Sequence, residues 1–410
     1  MNLDALPSAD DKRIAVRVTR DALRQLRGGS PWLYDGSITE VSHDGAPGDL
    51  AVVFDHDRKF AAIGLYDPTS PIRVKILHVG KPRPIDAGFW DERIAAAVDL
   101  RAGLASDPGT NAYRLVHGEN DRLPGLVVDR YADTLVVKLY SPAWFAHLRD
   151  VLDALAIRQP HERVVLRLGR SVAAGETYGF GDGDVIVGAP VDGPIRFVER
   201  NLSMEADVVH GQKTGHFLDQ RDNRALVRGM AAGLDVLDVF ASTGGFALSA
   251  AAGGATSVHL VDQSAPALAT AERNIAHNLH LAEVRRCAIH TTVGDAFDVL
   301  ARLAERDERF GLVIVDPPSF ASNQGAVDRA LAAYARLTRL ALAVTGRGGT
   351  LVQASCSSRV TTDEFVQTVL DAAASAHRDA TEIRRTAHAV DHPIGFEFGA
   401  YLKAVYLRVD

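Results

Sequence analysis

From Ile14 to Leu77 the chain runs in short apolar segments broken by Gly, Pro and Asp: RIAVRV, GSITEV, DLAVVFD, FAAIGLYD and IRVKIL. Runs this short between turn residues predict a small barrel or curled sheet, with one helix near Asp21 to Arg27. KPRPIDAGFW (81–90), with prolines at 82 and 84, reads as an extended linker. A second block, to about Glu199, opens with a helical pattern over Asp91–Gly103. It continues through LPGLVVDRY and DTLVVKLY as a hairpin pair, a helix from Pro142 to Leu155, and the strand RVVLRL. From about Leu202 the rhythm changes. LDVLDVF, SVHLVD, AIHTTVGD, FGLVIVD and GTLVQAS are buried-type strands separated by alanine-rich or amphipathic helical stretches, which implies βαβ units and a parallel sheet. YLKAVYLRV closes the chain as a further strand.

Length agrees with that three-part reading, because 410 residues at roughly 150 per domain allow two or three cores. With 47% hydrophobic residues, intrinsic disorder is excluded. MNLDALPSADD has no apolar signal region, and no apolar run approaches the roughly 18 residues of a membrane span, so a soluble, unexported, cytoplasmic protein is expected. Two cysteines, Cys287 and Cys356, fit a reducing compartment and cannot make a disulfide framework. The 15 histidines suggest no metal-ligating cluster, and no metal is expected. A net charge of −7 argues globally against a phosphate-tracking protein. Locally the picture reverses: Lys12, Arg13, Arg17, Arg20, Arg24 and Arg27 gather with a single acid, Asp21. Arg20, Arg24 and Arg27 share one helical face, a candidate RNA contact or simply a solvated face.

In an open α/β sheet the ligand crevice lies beyond the carboxyl ends of the strands. Those ends here carry Asp238, Asp262, Asp295, Asp316 and the pair Ser355-Cys356. The turn Ala241-Ser-Thr-Gly-Gly-Phe246 lets backbone approach a ligand. Asp262 follows Gly244 by 18 residues, near the roughly 20-residue offset at which an acid meets a ribose hydroxyl. The pyrophosphate fingerprint G-x-G-x-x-G is missing, which favours an adenosine cofactor without pyrophosphate, such as S-adenosylmethionine, over NAD. Alone, the glycine pair is equally an ordinary strand-to-helix turn. Asp316-Pro-Pro-Ser-Phe320 is more specific, since two prolines after a buried strand fix the chain sharply and hold Asp316 in the crevice. A lone cysteine is more often a small buried hydrophobe, but Cys356, at a strand end among serines, would be partly exposed and could be activated as thiolate, whereas Cys287 is read as structural. The segment His210–Arg224 fits either a cofactor-covering loop or an amphipathic helix.

In order and spacing, GHFLDQRDNR (215–224), DVFASTGGF (238–246), VDPPSF (315–320) and ASCSS (354–358) resemble the class I S-adenosylmethionine-dependent rRNA large-subunit methyltransferase I family, which makes 5-methylcytosine in 23S rRNA. RGGSPWLYDGSI (27–38) is similar to the start of that family's PUA-type RNA-binding barrel, and NDRLPGLVVDRY (120–131) to its central domain. The resemblance implies an α/β protein: a PUA-like β-barrel over 1–80, an α+β central domain over 81–200, and a Rossmann-like methyltransferase domain with a mostly parallel seven-stranded sheet over 201–410. It also implies site roles. Asp238 and Gly244 would hold the methionine end of the cofactor, Asp262 the ribose hydroxyls, and Asp295 would lie near the adenine. Gln220 and Arg221 would close the pocket, and Phe240 and Pro317 would line it. Asp316 would face the base, Cys356 would be the nucleophile, and S-adenosylhomocysteine the product. The implied partner is 23S rRNA or a large-subunit precursor, with no membrane, and a homodimer is compatible with it. Ser319 stands where two-cysteine RNA cytosine methyltransferases carry a second cysteine.

Three other readings compete at this point. The first is methylation of an exocyclic amine or guanine N7, which Asp-Pro-Pro motifs also serve without a cysteine. The second is a non-catalytic RNA-binding assembly factor. The third, a small-molecule methyltransferase, leaves roughly 200 N-terminal residues without a task.

Overall fold

The computed structural model describes residues 3–321 and 324–410. The chain forms two compact units: Met1–Phe197 with Ala206–Leu218 and Val390–Gly399, and Val198–Glu205 with Asp219–Ala389 and Ala400–Asp410.

The first unit opens with a six-stranded sheet of β1 (Ile14–Val18), β2 (Trp32–Tyr34), β3 (Ile38–Val41), β4 (Leu50–Phe54), β5 (Phe60–Tyr66) and β6 (Ile72–Val79), in the order β2, β6, β5, β4, β1, β3. The continuous apolar run LAVVF follows from burial on both faces of β4. Ala51 and Val53 face the core shared with Ile14, Leu23 and Leu26, while Leu50 and Val52 face the core built around Trp90, Trp144 and Phe145. The expected linker is shorter than 81–90. A helix starts at Ala87, four residues ahead of the predicted start, because Asp86 accepts the Phe89 N–H (3.0 Å) as its N-cap, and Phe89 and Trp90 are buried. A five-stranded sheet follows, made of β7 (Ala112–His117), β8 (Leu126–Tyr131), β9 (Thr134–Leu139), β10 (Arg163–Leu168) and β11 (Val185–Val187), ordered β11, β10, β9, β8, β7. The predicted hairpin is β8 and β9. The predicted helix from Pro142 is a 3-10 turn, Pro142–His147, leading into the α-helix Leu148–Arg158.

After the paired strands β12 (Ile195–Glu199) and β13 (Leu202–Ala206), the second unit is built on seven strands. These are β14 (Asp235–Val239), β15 (Ser257–Asp262), β16 (Ala288–Val293), β17 (Phe310–Val315), β18 (Thr345–Ser355), β19 (Ala380–Thr386) and β20 (Lys403–Val409). The order is β16, β15, β14, β17, β18, β20, β19. Five strands run parallel, and β20 and β19 pair antiparallel at one edge. β14 and β17 sit centrally and are almost wholly buried, whereas β16, expected as a buried strand, is a largely exposed edge, which is why it tolerates His290, Thr291 and Thr292. The order reverses between β14 and β17, which makes their carboxyl ends the place to look for a ligand.

Candidate functional site

Asp238, 1% exposed, lies one residue before the end of β14. Its Oδ2 accepts the Ala247 N–H (3.0 Å) from the first turn of the helix Gly245–Ala252, and its Oδ1 has no hydrogen-bond partner among the described residues. Burial, and after it the negative charges of Asp316 and Asp262, push its pKa from 3.8 to about 7, against the Ala247 N–H and Arg224. A buried carboxylate with one open oxygen beside two more acids is the complement of a cationic group.

The turn that follows is held in an unusual shape. Phe240 (φ 64°) and Ser242 (φ 49°) occupy the left-handed region despite their side chains, as does Gly244 (φ 75°). Phe240 and Ser242 each cost of order 1–3 kcal/mol there, and this cost is concentrated where the backbone would face a ligand. Gly244 is irreplaceable on a second ground: a Cβ there would lie 2.6 Å from Ala271 Cβ. Asp262 supports the turn, its Oδ2 accepting Ser242 N–H and its Oδ1 Ser264 N–H, both at 2.8 Å. Buried Asn274, which no local motif singles out, donates to Thr243 O (2.9 Å) and accepts the Glu205 N–H (2.8 Å). Gln220 and Arg221 are both buried where the helix Arg221–Met230 begins. Gln220 Oε1 accepts from Asn223, whose own Oδ1 takes the hydroxyls of Thr386 (2.6 Å) and Tyr406 (3.1 Å). The segment expected to be either a covering loop or a helix is therefore helical from Arg221. Asp295 is exposed and caps the helix Ala296–Glu305, accepting Phe297 N–H (2.9 Å) and Asp298 N–H (3.3 Å).

Asp316 follows β17 directly and donates its N–H to Val239 O (3.3 Å), so the Asp-Pro-Pro segment starts beside the end of β14. Pro317 is buried, and its carbonyl accepts from Cys356 Sγ at 3.8 Å. The thiol at the end of β18 thus lies against the proline motif. Cys356 is half-buried, while Cys287 is buried and its thiol is pushed up to about 11, chiefly by burial. Next to Cys356, Ser355 Oγ and Tyr334 OH share a 2.9 Å hydrogen bond, and burial raises the Tyr334 phenol to about 12.

Lys403 is the site residue that sequence reasoning missed, since a single lysine in YLKAVYLRV reads as a strand detail. It is 4% exposed, and its ammonium donates to the carbonyls of Ser357, Val360 and Tyr401. The only signal was the lysine itself, one of two charges in the strand, the other being the exposed Arg408.

In the first unit, the helix Arg20–Arg27 buries Ala22, Leu23 and Leu26, which leaves Arg20, Arg24 and Arg27 exposed. Arg24 pairs with Asp21, and Arg27 with Asp55 at 3.4 Å. A cavity of about 610 Å³ lined by Asp235, Ser257, His259 and His290 opens at the amino ends of the second unit's strands, the edge opposite Asp238, Asp316 and Cys356. Among the described residues no group of three or more His, Cys, Asp or Glu is placed to hold a metal. His388 and His392 stand four apart but lie outside any helix, and each is engaged within its own unit. His388 accepts from Tyr401 N–H and Leu402 N–H, and His392 pairs with Asp391.

Residues 115–405 match the family model of S-adenosylmethionine-dependent methyltransferases, and residues 16–78 match a PUA-like domain. The chain is 43% identical over 410 residues to a ribosomal RNA large subunit methyltransferase of Deinococcus radiodurans, covering 98% of this chain and 99% of that protein. It is 33% identical to ribosomal RNA large subunit methyltransferase I of Klebsiella pneumoniae, covering 92% and 94%. Among solved structures, one described as a SAM-dependent methyltransferase from Streptococcus mutans shares the fold, with a TM-score of 0.81 at 20% identity over 96% of this chain and all of that one. Another, a methyltransferase complexed with SAH, has a TM-score of 0.82 at 21% identity over 97% of this chain and all of that one. No helix among the described residues is long and apolar enough to cross a membrane.

Proposed function

The chain belongs to the ribosomal RNA large-subunit methyltransferase I family of S-adenosylmethionine-dependent enzymes, and from that premise we propose that it methylates C5 of a cytosine in 23S rRNA through a covalent adduct with Cys356. Its cofactor is S-adenosylmethionine, which supplies an electrophilic methyl group. The observation that carries the C5 reading is the contact between Cys356 Sγ and Pro317 O, which sets a half-buried thiol against the segment headed by Asp316.

The residues present fit the cofactor. The open Oδ1 of Asp238 suits the ammonium of a methionine moiety, and the left-handed turn through Gly244, with Phe240, brings backbone close to it. Asp262 keeps acceptor capacity for ribose hydroxyls after its two backbone bonds, and Asp295, Gln220, Arg221 and Pro317 complete the pocket.

Cytosine C5 is a poor nucleophile. The Cys356 thiolate adds to C6, forming a C–S bond and shifting the ring's electron pair toward C5, which becomes enamine-like. Asp316, at N3 and the exocyclic amine, stabilises the charge that develops as sulfur adds. Once C5 is methylated, loss of its proton restores the C5–C6 double bond and the C6–S bond breaks, returning the thiolate. The base must leave any stack to reach this edge. We assign recognition of the rRNA or its large-subunit precursor to residues 1–80 and 81–200, with Arg20, Arg24 and Arg27 on phosphates, methyl transfer to 201–410, and the protein to the cytoplasm.

Mapping 5-methylcytosine in 23S rRNA from cells with and without the protein tests the proposal. A position methylated only when the protein is present is expected; identical maps would overturn it.

A further inference from the structure

We propose that Lys403 is a positioning residue for Cys356: its ammonium is the counter-charge of the Cys356 thiolate and fixes the turn that presents the thiol. This rests on reading Cys356 as the nucleophile.

The geometry begins in the sheet. β20 pairs antiparallel with β18 so that Lys403 lies directly opposite Ser355, the residue before Cys356. Cross-strand partners project to the same face, which brings the lysine's stem to the mouth of the thiol's turn. The side chain is buried, and all three ammonium protons have acceptors: Ser357 O, Val360 O and Tyr401 O. Two of those carbonyls belong to the turn immediately after Cys356. A neutral amine has two N–H donors, so three carbonyls select the charged form. Among the described residues Lys403 forms no salt bridge, which is unusual for a buried cation. A thiolate at the end of β18 resolves that imbalance.

Among the described residues, the other titratable groups near the thiol are a phenol, two acids and Arg359, which follows Cys356 by three residues and is exposed. Tyr334 on the helix Val327–Val344 is neutral at physiological pH, Asp316 after β17 is an acid, and so is Glu364 on the helix Thr362–Ser375. Burial lowers the Lys403 pKa from 10.5 to about 8, opposed by the negative charges of Cys356 and Glu364, which leaves the ammonium dominant at pH 7. Lys403 transfers no proton: the thiol loses its proton to solvent, and the lysine keeps its three.

The test is the pH dependence of Cys356 alkylation by iodoacetamide in the full chain, carried in a Cys287→Ala background and followed by mass spectrometry. In the parent the alkylation midpoint is expected below the usual cysteine value of about 8.5. Lys403→Met keeps the apolar stem and removes the charge. It should raise the midpoint by about one unit or more and slow alkylation at pH 7 roughly tenfold, with S-adenosylmethionine affinity by calorimetry within about twofold of the parent. Equal midpoints in the two proteins would overturn the proposal. So would a parent midpoint at or above about 8.5, a result that needs no variant to fold. Full methyl transfer by Cys356→Ala would instead remove the covalent reading, while the midpoints, which need no turnover, still decide the ion pair.

Discussion

Each unit buries several carboxylates, and two of them, Asp67 and Asp238, are treated in opposite ways. In the first unit Asp67, 1% exposed, takes an ion pair from Lys75 (2.8 Å) and hydrogen bonds from Ser141 Oγ (2.7 Å) and Thr69 Oγ1 (2.8 Å). Burial alone would raise its pKa, but these partners hold it below 3.8. In the second unit Asp238, also 1% exposed, takes one backbone N–H and rises to about 7. The two lysines differ in the same sense, Lys75 closed by a carboxylate and Lys403 by carbonyls alone. A buried charge that stabilises a fold is closed by its own chain; under the proposed function, one left open is completed by a ligand or by the reacting group.

The largest expected effect is on the open side. Cys356→Ala should lower methyl transfer by roughly a thousandfold or more while leaving S-adenosylmethionine binding intact, as measured by turnover and calorimetry on the same preparation. Full activity would remove the nucleophile from the scheme.

On the closed side, Lys75→Met leaves Asp67 buried without its cation and should destabilise the first unit by about 3–5 kcal/mol in denaturant unfolding. The cofactor affinity of the folded protein should not change. A loss of affinity without a loss of stability would erase the distinction between the two regions.

Asp238→Asn should act in the reverse sense. Between pH 3.8 and about 7 the folded protein keeps a proton on Asp238 that the unfolded chain has lost, so this group's contribution to stability falls as pH rises through that window and stays low above it. The neutral amide should therefore gain about 1–3 kcal/mol at pH 8 by thermal unfolding and lose S-adenosylmethionine affinity by about tenfold or more. In the parent, affinity should rise roughly tenfold between pH 5.5 and pH 7, following the ionised fraction of Asp238. A flat profile would show that the open oxygen does not meet a cation.

The smallest effect belongs to the exposed arginines. Arg20→Gln should weaken rRNA binding a few-fold and reduce the salt-dependence slope by about 0.7–0.9, the value of one phosphate contact. Arg24→Gln should do less, because Asp21 already pairs with Arg24.

What the sequence made legible follows from which residues had contacts close along the chain. The strand-end carboxylates, the glycine turn and the Asp-Pro-Pro segment are local features, and they stand at the ends of the strands that carry them. β2 escaped notice because it is three residues long, and β19 because its alternation in ATEIRRT is between exposed and half-exposed positions. AIHTTV reads as a buried strand because apolar and β-branched residues also suit an edge strand. Lys403, Asn274 and Tyr334 were invisible for a different reason: their partners lie tens of residues away, at Ser357 and Val360, Glu205 and Thr243, and Ser355, so no short window contains the pattern. The net charge of −7 misled in the same way, since it averages the arginine face of one helix with the acids clustered at the strand ends.

The most direct measurement is incubation of the enzyme and S-adenosylmethionine with substrate RNA carrying 5-fluorocytidine. Fluorine at C5 removes the proton whose loss releases the enzyme, so the C6–S bond should persist and peptide mapping should find methylated RNA attached at Cys356. Methyl transfer to unmodified RNA with no adduct on the fluorinated RNA, or an adduct that survives Cys356→Ala, would contradict the account.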